Sequence, residues 1–302
     1  MKNYTESIFR RTSAIFAAMV LAAAGLVGQL SWIVSSDQLA QTAQTQSKYT
    51  LTVADERGFI YDCKMQPLVG TEQRWQTAVF PTPQNQKKVL DAVEPERKQT
   101  VTELLETGKP FVTETTEAVD AEMVYSFSVP ERYTENQTAV HLIGYLDYNG
   151  SGVTGIEKEY DSFLADSGKK IQVTGMLNAL QQTIAGVEPE IRIEGAENAG
   201  VVLTLDCRIQ QIIESIGSQM LDKGAIVVMD PYNGQIRAMA SFPAYSPSNL
   251  GEAVNDQENK PMLNRALLGY SVGSTFKIVT AAAAMQSLGR EYCLTREYTC
   301  EG

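Results

Sequence analysis

The sequence lacks the residues on which several common kinds of active site depend. His141 is the only histidine among 302 residues, which excludes a metal site built from several histidines and any Ser-His-Asp triad that uses another histidine. We expect a structural role for it. The four cysteines include no Cys-x-x-Cys pair, so the usual spacing of a zinc or redox motif is also missing. Because no histidine stands near any cysteine in the sequence, none of the four is marked as a nucleophile.

Positive charge is also scarce. The chain has 25 Lys and Arg residues against 36 Asp and Glu, a net charge of -11, and this balance argues against a nucleic-acid partner because phosphate binding needs clustered positive charge. Hydrophobic residues make up 43% of the chain, which is enough for real cores, and the length fits about two domains.

Charge is absent from one long segment near the N-terminus. From Thr12 to Ser36 there are 25 consecutive residues without a charged side chain, and about 20 suffice to cross a bilayer. We therefore predict a transmembrane anchor over residues 12–36, followed by a polar stalk over 37–48.

The charges that flank this segment predict its orientation. Lys2, Arg10 and Arg11 precede it and Asp37 follows it, so the positive-inside rule places residues 1–11 in the cytoplasm and the rest of the chain outside the cell membrane. A cleaved signal peptide is the alternative, because the three alanines at 22–24 are small residues of the kind that cleavage sites use. The apolar stretch continues beyond them, which favours an uncleaved anchor.

One Ser-x-x-Lys pair stands at the start of a strongly helical run. Ser274 and Lys277 are three positions apart, and residues i and i+3 lie on one face of a helix, so the lysine amine can reach the serine hydroxyl. Gly273 allows a tight turn before the serine and leaves the hydroxyl at a helix N-terminus, where free N–H groups favour developing negative charge. The pattern predicts a nucleophilic serine with a lysine as general base.

The residues after this dyad suggest how its amine could lose a proton. Ile278, Val279 and the small residues of 280–285 form an apolar run that we expect to be buried nearly all round. Burial disfavours the charged form of a lysine, so that the neutral amine can act as a base. A second pair with the same spacing, Ser167 and Lys170, lies in a polar turn, and we interpret it as part of a solvated loop.

The sequence around the dyad resembles the first active-site motif of class B penicillin-binding proteins. That motif covers Asn264 to Leu267 and Tyr270 to Lys277. Other segments resemble the opening strands of the family's transpeptidase domain and its pedestal and linker signatures. They are, in chain order, Arg57 to Asp62, Thr154 to Glu157 with Tyr160, Leu203 to Asp206 with Gln210, Gly224 to Pro231, Asn233 to Ile236, and Ala238 to Ser241 with Pro243.

The resemblance implies a fold class and a domain organisation. After the cytoplasmic tail and the N-terminal transmembrane helix, it implies a stalk and a mixed α+β pedestal of the dimerisation type over residues 37–200. The start of an α/β penicillin-binding transpeptidase domain would follow over 201–302.

The resemblance also implies a reaction, the D,D-transpeptidation of peptidoglycan. Ser274, deprotonated by Lys277, would attack the penultimate D-Ala carbonyl of a stem peptide and pass the acyl group to an amine of a neighbouring strand. β-Lactams would mimic that substrate and trap the serine. The resemblance implies no metal or organic cofactor. By analogy, the anchor and pedestal would contact a polytopic membrane glycosyltransferase of the machinery for cell shape, division or sporulation.

The sequence departs from the family pattern in three ways. Val272 stands where the family usually has proline, and Cys63, Lys64 and Met65 stand where it commonly has Arg-Asn-Gly. The Ser-x-Asn and Lys-Thr-Gly motifs, which complete the family's active site, occur nowhere in the sequence. We therefore expect the N-terminal part of a longer protein, inactive by itself and poorly folded beyond about Gly224.

Two other kinds of function stay open. β-Lactam sensors and serine β-lactamases use the same dyad, although the long segment between anchor and dyad speaks against both. The chain could instead be a membrane-tethered interaction module whose pedestal binds a cell-wall synthase without any chemistry of its own.

Local patterns predict further elements. Alternation of apolar and polar residues favours strands over 49–53 and 191–193. The helix formers of 85–107 are broken by Pro95, and apolar residues at helical spacing predict a helix over 207–221. A turn signal at 230–234 predicts a hairpin.

Three groups of polar residues could be mistaken for functional sites. Asp230 begins the predicted turn, and we expect it to bind local N–H groups rather than to act as a catalytic acid. Glu157 and Glu159 are two positions apart, so they face different directions in a helix and are better interpreted as solvated or salt-bridged residues than as a glycosidase pair. Cys293 and Cys300 could form a disulfide outside the membrane, although their spacing alone does not establish one.

Overall fold

A computed structural model of the protein describes residues 2–35, 47–178, 180–184, 186–297 and 299–300. The chain begins with helix α1, Lys2–Ser35. Its segment Ser13–Trp32 has a mean hydropathy of 1.9 and is long and apolar enough to cross a membrane, which fits the single membrane span predicted over 12–36. The predicted stalk lies outside the described residues as far as residue 46.

Ten strands and nine further helices follow α1 in the described part of the chain. The strands are β1 Lys48–Asp55, β2 Phe59–Tyr61, β3 Glu72–Val79, β4 Phe111–Thr115, β5 Val124–Glu131, β6 Lys170–Met176, β7 Glu190–Glu194, β8 Gly200–Val202, β9 Gly224–Met229 and β10 Ile236–Phe242. The helices are α2 Gln86–Asp91, α3 Lys98–Glu106, α4 Val140–Ile143, α5 Gly155–Glu159, α6 Asp161–Asp166, α7 Cys207–Met220, α8 Leu250–Asn255, α9 Lys277–Leu288 and α10 Arg290–Thr295. Short 3₁₀ turns cover Pro95–Arg97, Arg265–Leu267 and Gly273–Phe276.

Two antiparallel sheets, with strand orders β1-β6-β7 and β4-β3-β5, pack face to face as a small sandwich. Leu51 of β1 pairs with Val173 of β6, and both side chains are buried between the sheets. Phe80, just after β3, is fully buried in the same cluster and meets the edge of the Tyr125 ring at 6.4 Å between centroids. Each large side chain buried in this way stabilises the fold by about 1.5–3 kcal/mol.

A parallel strand pair joins this sandwich to the rest of the chain. β2 and β8 pair with Ile60 opposite Val201, although their sequences are far apart. Ile60, Leu164 and Leu205 are buried in one cluster at this junction, which leads directly into α7.

The last part of the described chain is built on a helix and a hairpin. The Asp206 side chain caps α7 by accepting a hydrogen bond from the backbone N–H of Arg208 at 3.0 Å. α7 packs on β10 of the antiparallel β9–β10 hairpin, where Ile213, Ala240 and Phe242 are buried together. The chain then continues through α8 and two 3₁₀ turns into α9 and α10.

Several local predictions are confirmed by these elements. The predicted strands at 49–53 and 191–193 lie inside β1 and β7. Pro95 begins the 3₁₀ turn that separates α2 from α3, and the predicted helix at 207–221 is α7. The turn signal at 230–234 joins β9 to β10.

Candidate active site

Ser274 and Lys277 lie at the junction of a 3₁₀ turn and a helix. Ser274 is the second residue of the turn Gly273–Phe276, and Lys277 is the first residue of α9. The backbone N–H of Lys277 donates a hydrogen bond to the carbonyl of Ser274, a bond of the i to i+3 type. The two residues therefore stand one 3₁₀ turn apart, where side chains at i and i+3 lie above one another.

The backbone before Ser274 has the conformation for which glycine is suited. Gly273 has a φ of +52°, in the left-handed region that other residues avoid. A Cβ added at this position would meet no other atom within 4 Å, so the requirement comes from the backbone rather than from crowding. The Thr275 hydroxyl donates a hydrogen bond to the Val272 carbonyl, and this side-chain to backbone bond stabilises the turn.

Arg265 and Ser241 hold the segment that leads to the dyad against β10. The Arg265 guanidinium is buried and donates to the Asn259 carbonyl at 2.6 Å and the Lys260 carbonyl at 3.3 Å. Its backbone N–H donates to the Ser241 hydroxyl at 3.0 Å, and that hydroxyl donates in turn to the Leu263 carbonyl. Both residues lie in segments that resemble family motifs, but their sequence positions indicate no role because these contacts depend on tertiary structure.

The prediction that the dyad helix is buried nearly all round is wrong for the described chain. No residue of α9 is buried, and Ile278 and Val279 are 77% and 53% exposed. The principal contacts of α9 are with the turn Gly273–Phe276 and with α10, both of them its sequence neighbours. The apolar pattern therefore marks a face that no described element covers, and Lys277 itself is exposed.

The second Ser-x-x-Lys pair is not an active site. The Ser167 hydroxyl donates to the Phe163 carbonyl at 2.6 Å just after α6, while Lys170 begins β6 and pairs with Asp55 at 3.6 Å. The two side chains are thus engaged with different partners, as expected for a solvated connection.

Asp230 binds local groups in the hairpin turn, as predicted. Its carboxylate accepts from the Tyr232 backbone N–H at 2.9 Å and from the Asn233 amide at 3.2 Å, and it pairs with Arg237 at 3.5 Å. The hydrogen bond from Tyr232, with further help from Arg237, holds the pKa of Asp230 below its usual range. A carboxylate stabilised in its charged form by turn N–H groups is a structural residue rather than a general acid.

Glu157 and Glu159 differ in burial, and only Glu157 takes part in a network of hydrogen bonds and ion pairs. Glu157 is fully buried and accepts from Arg132 Nε at 2.7 Å and Tyr133 Oη at 3.0 Å, while Arg57 Nε lies 3.4 Å from its other oxygen. Burial, with the charge of Glu157, raises the pKa of Tyr133, so its phenol remains a hydrogen-bond donor. Glu159 is exposed on the same helix, which excludes a carboxylate pair.

His141 is held by the protein, in agreement with a structural role. Its Nε2–H donates to the Pro261 carbonyl at 2.6 Å, and its ring packs edge-on against Tyr245. Burial lowers the pKa of His141, which favours the neutral ring. His141 lines an open cleft of about 1770 Å³ together with Glu214, and neither residue of the dyad borders this cleft.

Glu214 is a half-buried carboxylate beside the same cleft. It accepts from the backbone N–H of Ala139 at 2.7 Å and from the Gln210 amide at 2.8 Å. Burial raises the pKa of Glu214. The bond from Ala139 ties α7 to the backbone before α4, and the bond from Gln210 lies within α7, so the carboxylate serves packing.

The cysteines are unpaired, so the suggested Cys293–Cys300 bridge is not formed in this structure.

Cys63 lies in the turn whose sequence departs from the family pattern. There the Asp62 carboxylate accepts from the backbone N–H groups of Lys64 and Gln66, both at 2.8 Å, and Met65 adopts a φ of +62°. The chain therefore keeps a tight turn although a bulky residue occupies the left-handed position.

Comparison with known proteins identifies the last part of the described chain. Residues 224–288, which include Ser274 and Lys277, match the family model for the penicillin binding protein transpeptidase domain. A probable peptidoglycan D,D-transpeptidase FtsI from Caulobacter vibrioides is 29% identical over 207 residues, which are 66% of this chain and 27% of that protein. The peptidoglycan D,D-transpeptidase FtsI of Escherichia coli K12 is 21% identical over 316 residues, covering 94% of this chain and 52% of the relative.

Solved structures give matches of similar extent. The penicillin-binding protein PBP2 from Helicobacter pylori has 23% sequence identity and a TM-score of 0.48, covering 79% of this chain and 53% of that one. A structure described as a peptidoglycan synthase complex has 22% identity and a TM-score of 0.49, covering 91% and 55%. The chain thus spans about half the length, or less, of the relatives it matches.

Proposed function

This chain belongs to the class B penicillin-binding proteins, and from that premise we propose that it supplies the nucleophile and the general base of a peptidoglycan D,D-transpeptidase. The observation that carries the proposal is the placement of Ser274 and Lys277, one 3₁₀ turn apart behind a left-handed Gly273, within the segment that matches the transpeptidase model.

The reaction needs two transfers at this serine. The neutral Lys277 amine takes the proton of the Ser274 hydroxyl while the oxygen bonds to the penultimate D-Ala carbonyl carbon of a stem peptide. The C–N bond to the terminal D-Ala then breaks, and the leaving amine takes up a proton. An amine from a neighbouring strand attacks the ester and releases the serine. A β-lactam enters the first transfer only, so it remains bound as an acyl-enzyme.

Lys277 must lose its charge for this chemistry, and water opposes that loss. In the described chain α9 is exposed, so we propose that the reactive form is one in which the apolar side chains Ile278 and Val279 are covered. Covering them would remove water from both the amine and the hydroxyl and strengthen the electrostatic effect of the helix N-terminus.

The remaining features are proposed from the same family. The tail of residues 1–11 would be cytoplasmic, and the chain after α1 would lie outside the membrane, with a dimerisation-type pedestal over 37–200 and transpeptidase residues over 201–302. A polytopic membrane glycosyltransferase of the cell-wall machinery would contact the anchor and pedestal. Peptidoglycan stem peptides and β-lactams would be the ligands of Ser274.

Fluorescent penicillin tests the proposal in membranes of the host cell. Wild-type protein is expected to be labelled and Ser274→Ala to lose the label completely. Lys277→Met should label at least about 100-fold more slowly, because a general base contributes a factor of about 10²–10⁴. Ser271→Ala, which changes another exposed serine of the same segment, should label like wild type. Label that persists in Ser274→Ala would exclude this serine as the acylated residue.

The exposure of α9 also favours one alternative, a membrane-tethered interaction module without chemistry. The protein in its host membranes separates the two functions, because we expect a transpeptidase to be labelled there. Absence of label would favour the interaction module. Rapid turnover of a chromogenic cephalosporin would instead favour a β-lactamase.

A further inference from the structure

We propose that β7 is a docking edge for an extended segment of another protein in which apolar residues alternate with charged residues, basic opposite Glu190 and Glu194 and acidic opposite Arg192. The inference concerns the sandwich rather than the dyad, and it is independent of the function proposed above. Three properties of β7 support it: its place in the sheet, the face that it leaves uncovered and the sign of its charges.

β7 is the outermost strand of the sheet β1-β6-β7, and all five of its residues are exposed. It pairs with β6 in an unbroken antiparallel register from Lys170–Glu194 to Thr174–Glu190. The strand contains no proline, and no bulge turns it away from solvent. One row of its backbone N–H and C=O groups therefore faces outward in a regular conformation, the condition under which a further strand can add.

The core face of the sheet continues onto β7 without a cover. Ile191 is paired with Val173 and Ile193 with Ile171, and these two partners on β6 are fully buried. Because directly paired residues point to the same face of a sheet, the two isoleucines of β7 extend the core face, yet they are 44% and 52% exposed.

The opposite sheet ends on the same side of the sandwich. β5 is an edge of that sheet, and Glu188, just before β7, is near enough to Tyr125 of β5 for its charge to act on that phenol. On β5, Tyr125 and Phe127 pack against the core while remaining partly exposed. Burial raises the pKa of Tyr125, and the negative charge of Glu188, just before β7, adds to that rise. A strand added to β7 would place apolar side chains beside these rings.

The charges on the other face of β7 indicate which kind of strand could pair with it. Glu190, Arg192 and Glu194 alternate with the isoleucines, and Arg192 pairs with Glu194 of its own strand at 2.6 Å. Antiparallel pairing of β7 with β7 of a second copy, centred on Arg192, would set each Glu190 opposite a Glu194 and the two arginines opposite each other. Like charges directly opposite destabilise a strand pair, so the register that pairs all five residues of two copies is disfavoured. Registers centred on Ile191 or Ile193 set arginine opposite glutamate, but they pair only three residues of β7 from each copy. A strand with lysine or arginine opposite the glutamates is favoured.

A synthetic heptapeptide with capped ends, Thr-Lys-Val-Glu-Val-Lys-Thr, is a suitable probe because its palindromic sequence fits either strand direction. The full chain in lipid nanodiscs is titrated into the fluorescein-labelled peptide, and binding is measured by anisotropy. The control peptide, Thr-Glu-Val-Lys-Val-Glu-Thr, inverts every charge and is expected to bind more weakly by at least about fivefold, the factor that corresponds to about 1 kcal/mol for cross-strand charge pairs. Hydrogen exchange of the backbone amides of 190–194 should slow only with the first peptide.

A charge exchange within the chain makes the test specific. Glu190→Lys, which lies opposite the uncharged Thr174, should reduce or reverse the preference between the two peptides. Glu96→Lys, an equal charge change at an exposed site in the turn before α3, should leave the preference unchanged. Equal binding of both peptides, slowed exchange at β1 instead of β7, or slowed exchange at β7 caused by self-association without peptide would each overturn the proposal.

Discussion

Glu157 is a single carboxylate that holds together segments about 25 to 100 positions apart in the sequence. Its guanidinium partners, Arg57 and Arg132, are 10% and 18% exposed, so the charges are largely removed from water. Removing one member of such a buried group leaves the opposite charge uncompensated, which costs more than the pair contributes as a whole. The packing around β2 therefore depends on this residue more than on any surface ion pair.

We expect Glu157→Gln to lower the free energy of unfolding by about 3–5 kcal/mol, because it keeps the shape of the side chain and removes only its charge. Urea unfolding of the chain in detergent micelles, followed by circular dichroism, measures the change. Glu159→Gln on the same helix is the matched control, and as an exposed residue it should change stability by less than about 0.5 kcal/mol. Equal effects of both substitutions would contradict a charged network at Glu157.

His141 gives stability a defined dependence on pH. Its pKa is lowered in the folded protein by burial, with a smaller contribution from the nearby Arg265 charge, so the unfolded chain binds a proton more readily. Stability from this residue is present above the ordinary histidine pKa of about 6.5 and is lost as the pH falls below it. The slope cannot exceed about 1.4 kcal/mol per pH unit for one proton.

We predict that His141→Gln makes the stability curve flatter between pH 7 and pH 5.5. Glutamine can still donate to the Pro261 carbonyl but has no proton to gain. Because the chain has no other histidine, the difference between wild type and variant isolates this one group. Urea midpoints at half-unit pH intervals provide the measurement, and parallel curves for the two proteins would show that His141 does not titrate in this way.

At the scale of elements, the contact of α7 with β10 depends on a missing side chain. A Cβ on Gly217 would lie 2.2 Å from Cζ of Phe242, whose ring is buried. Gly217→Ala should therefore destabilise the protein by about 1–3 kcal/mol through overpacking, even though alanine favours a helix by about 1 kcal/mol. Ser218→Ala, at the next and exposed position, should have almost no effect in the same unfolding experiment. A stabilised Gly217→Ala variant would mean that α7 can move away from the hairpin at little cost.

Elements whose signal is local could be predicted from the sequence, and those that depend on distant partners could not. The turn at 230–234 follows from Pro231 and an Asn-Gly pair, and α7 follows from the helical spacing of its apolar residues. By contrast, the pattern of α9 indicated only that it has apolar residues, and it could not say whether anything lies against them. Burial of Glu157 but not Glu159 likewise depends on Arg132, which no local pattern connects to either residue.

The candidate site also combines features that local sequence determines with features that depend on distant parts of the protein. The spacing and the preceding glycine predicted the turn of backbone between Ser274 and Lys277, and contact between the hydroxyl and the amine stays a prediction. Exclusion of water from the site depends on which part of the protein covers α9, and this is determined by the whole protein rather than by local sequence. The clamp of Arg265 on the segment before the dyad is also long-range, since its backbone N–H meets Ser241 across 24 positions.

At the scale of the whole molecule, the distribution of charge around α1 predicts which way the chain crosses the membrane. Arg10 and Arg11 precede the apolar segment and Asp37 follows it, so the positive-inside rule leaves the N-terminal tail inside and the sandwich outside. Cys300 is exposed and unpaired, and a membrane-impermeant maleimide should therefore label it in intact spheroplasts. The Cys300→Ser variant should lose most of that label, because Cys63, Cys207 and Cys293 are only partly exposed.

A cysteine in the N-terminal tail, residues 1–11, tests the cytoplasmic side of the predicted topology. Ser7→Cys, in a background in which the four native cysteines are replaced by serine, should react with the same maleimide only after the membrane is permeabilised, because residue 7 precedes the span. Replacing both arginines, Arg10→Glu with Arg11→Glu, removes most of the charge that retains the tail, since acidic residues have little retaining effect of their own. We expect this double variant to bring residue 7 to the outside in a measurable fraction of molecules and to reduce labelling of Cys300 in the parent background. Suppose that, with Arg10 and Arg11 retained, the maleimide labels residue 7 and not residue 300 in intact spheroplasts. The sandwich, the dyad and the β7 edge would then all face the cytoplasm, where peptidoglycan stem peptides are not crosslinked.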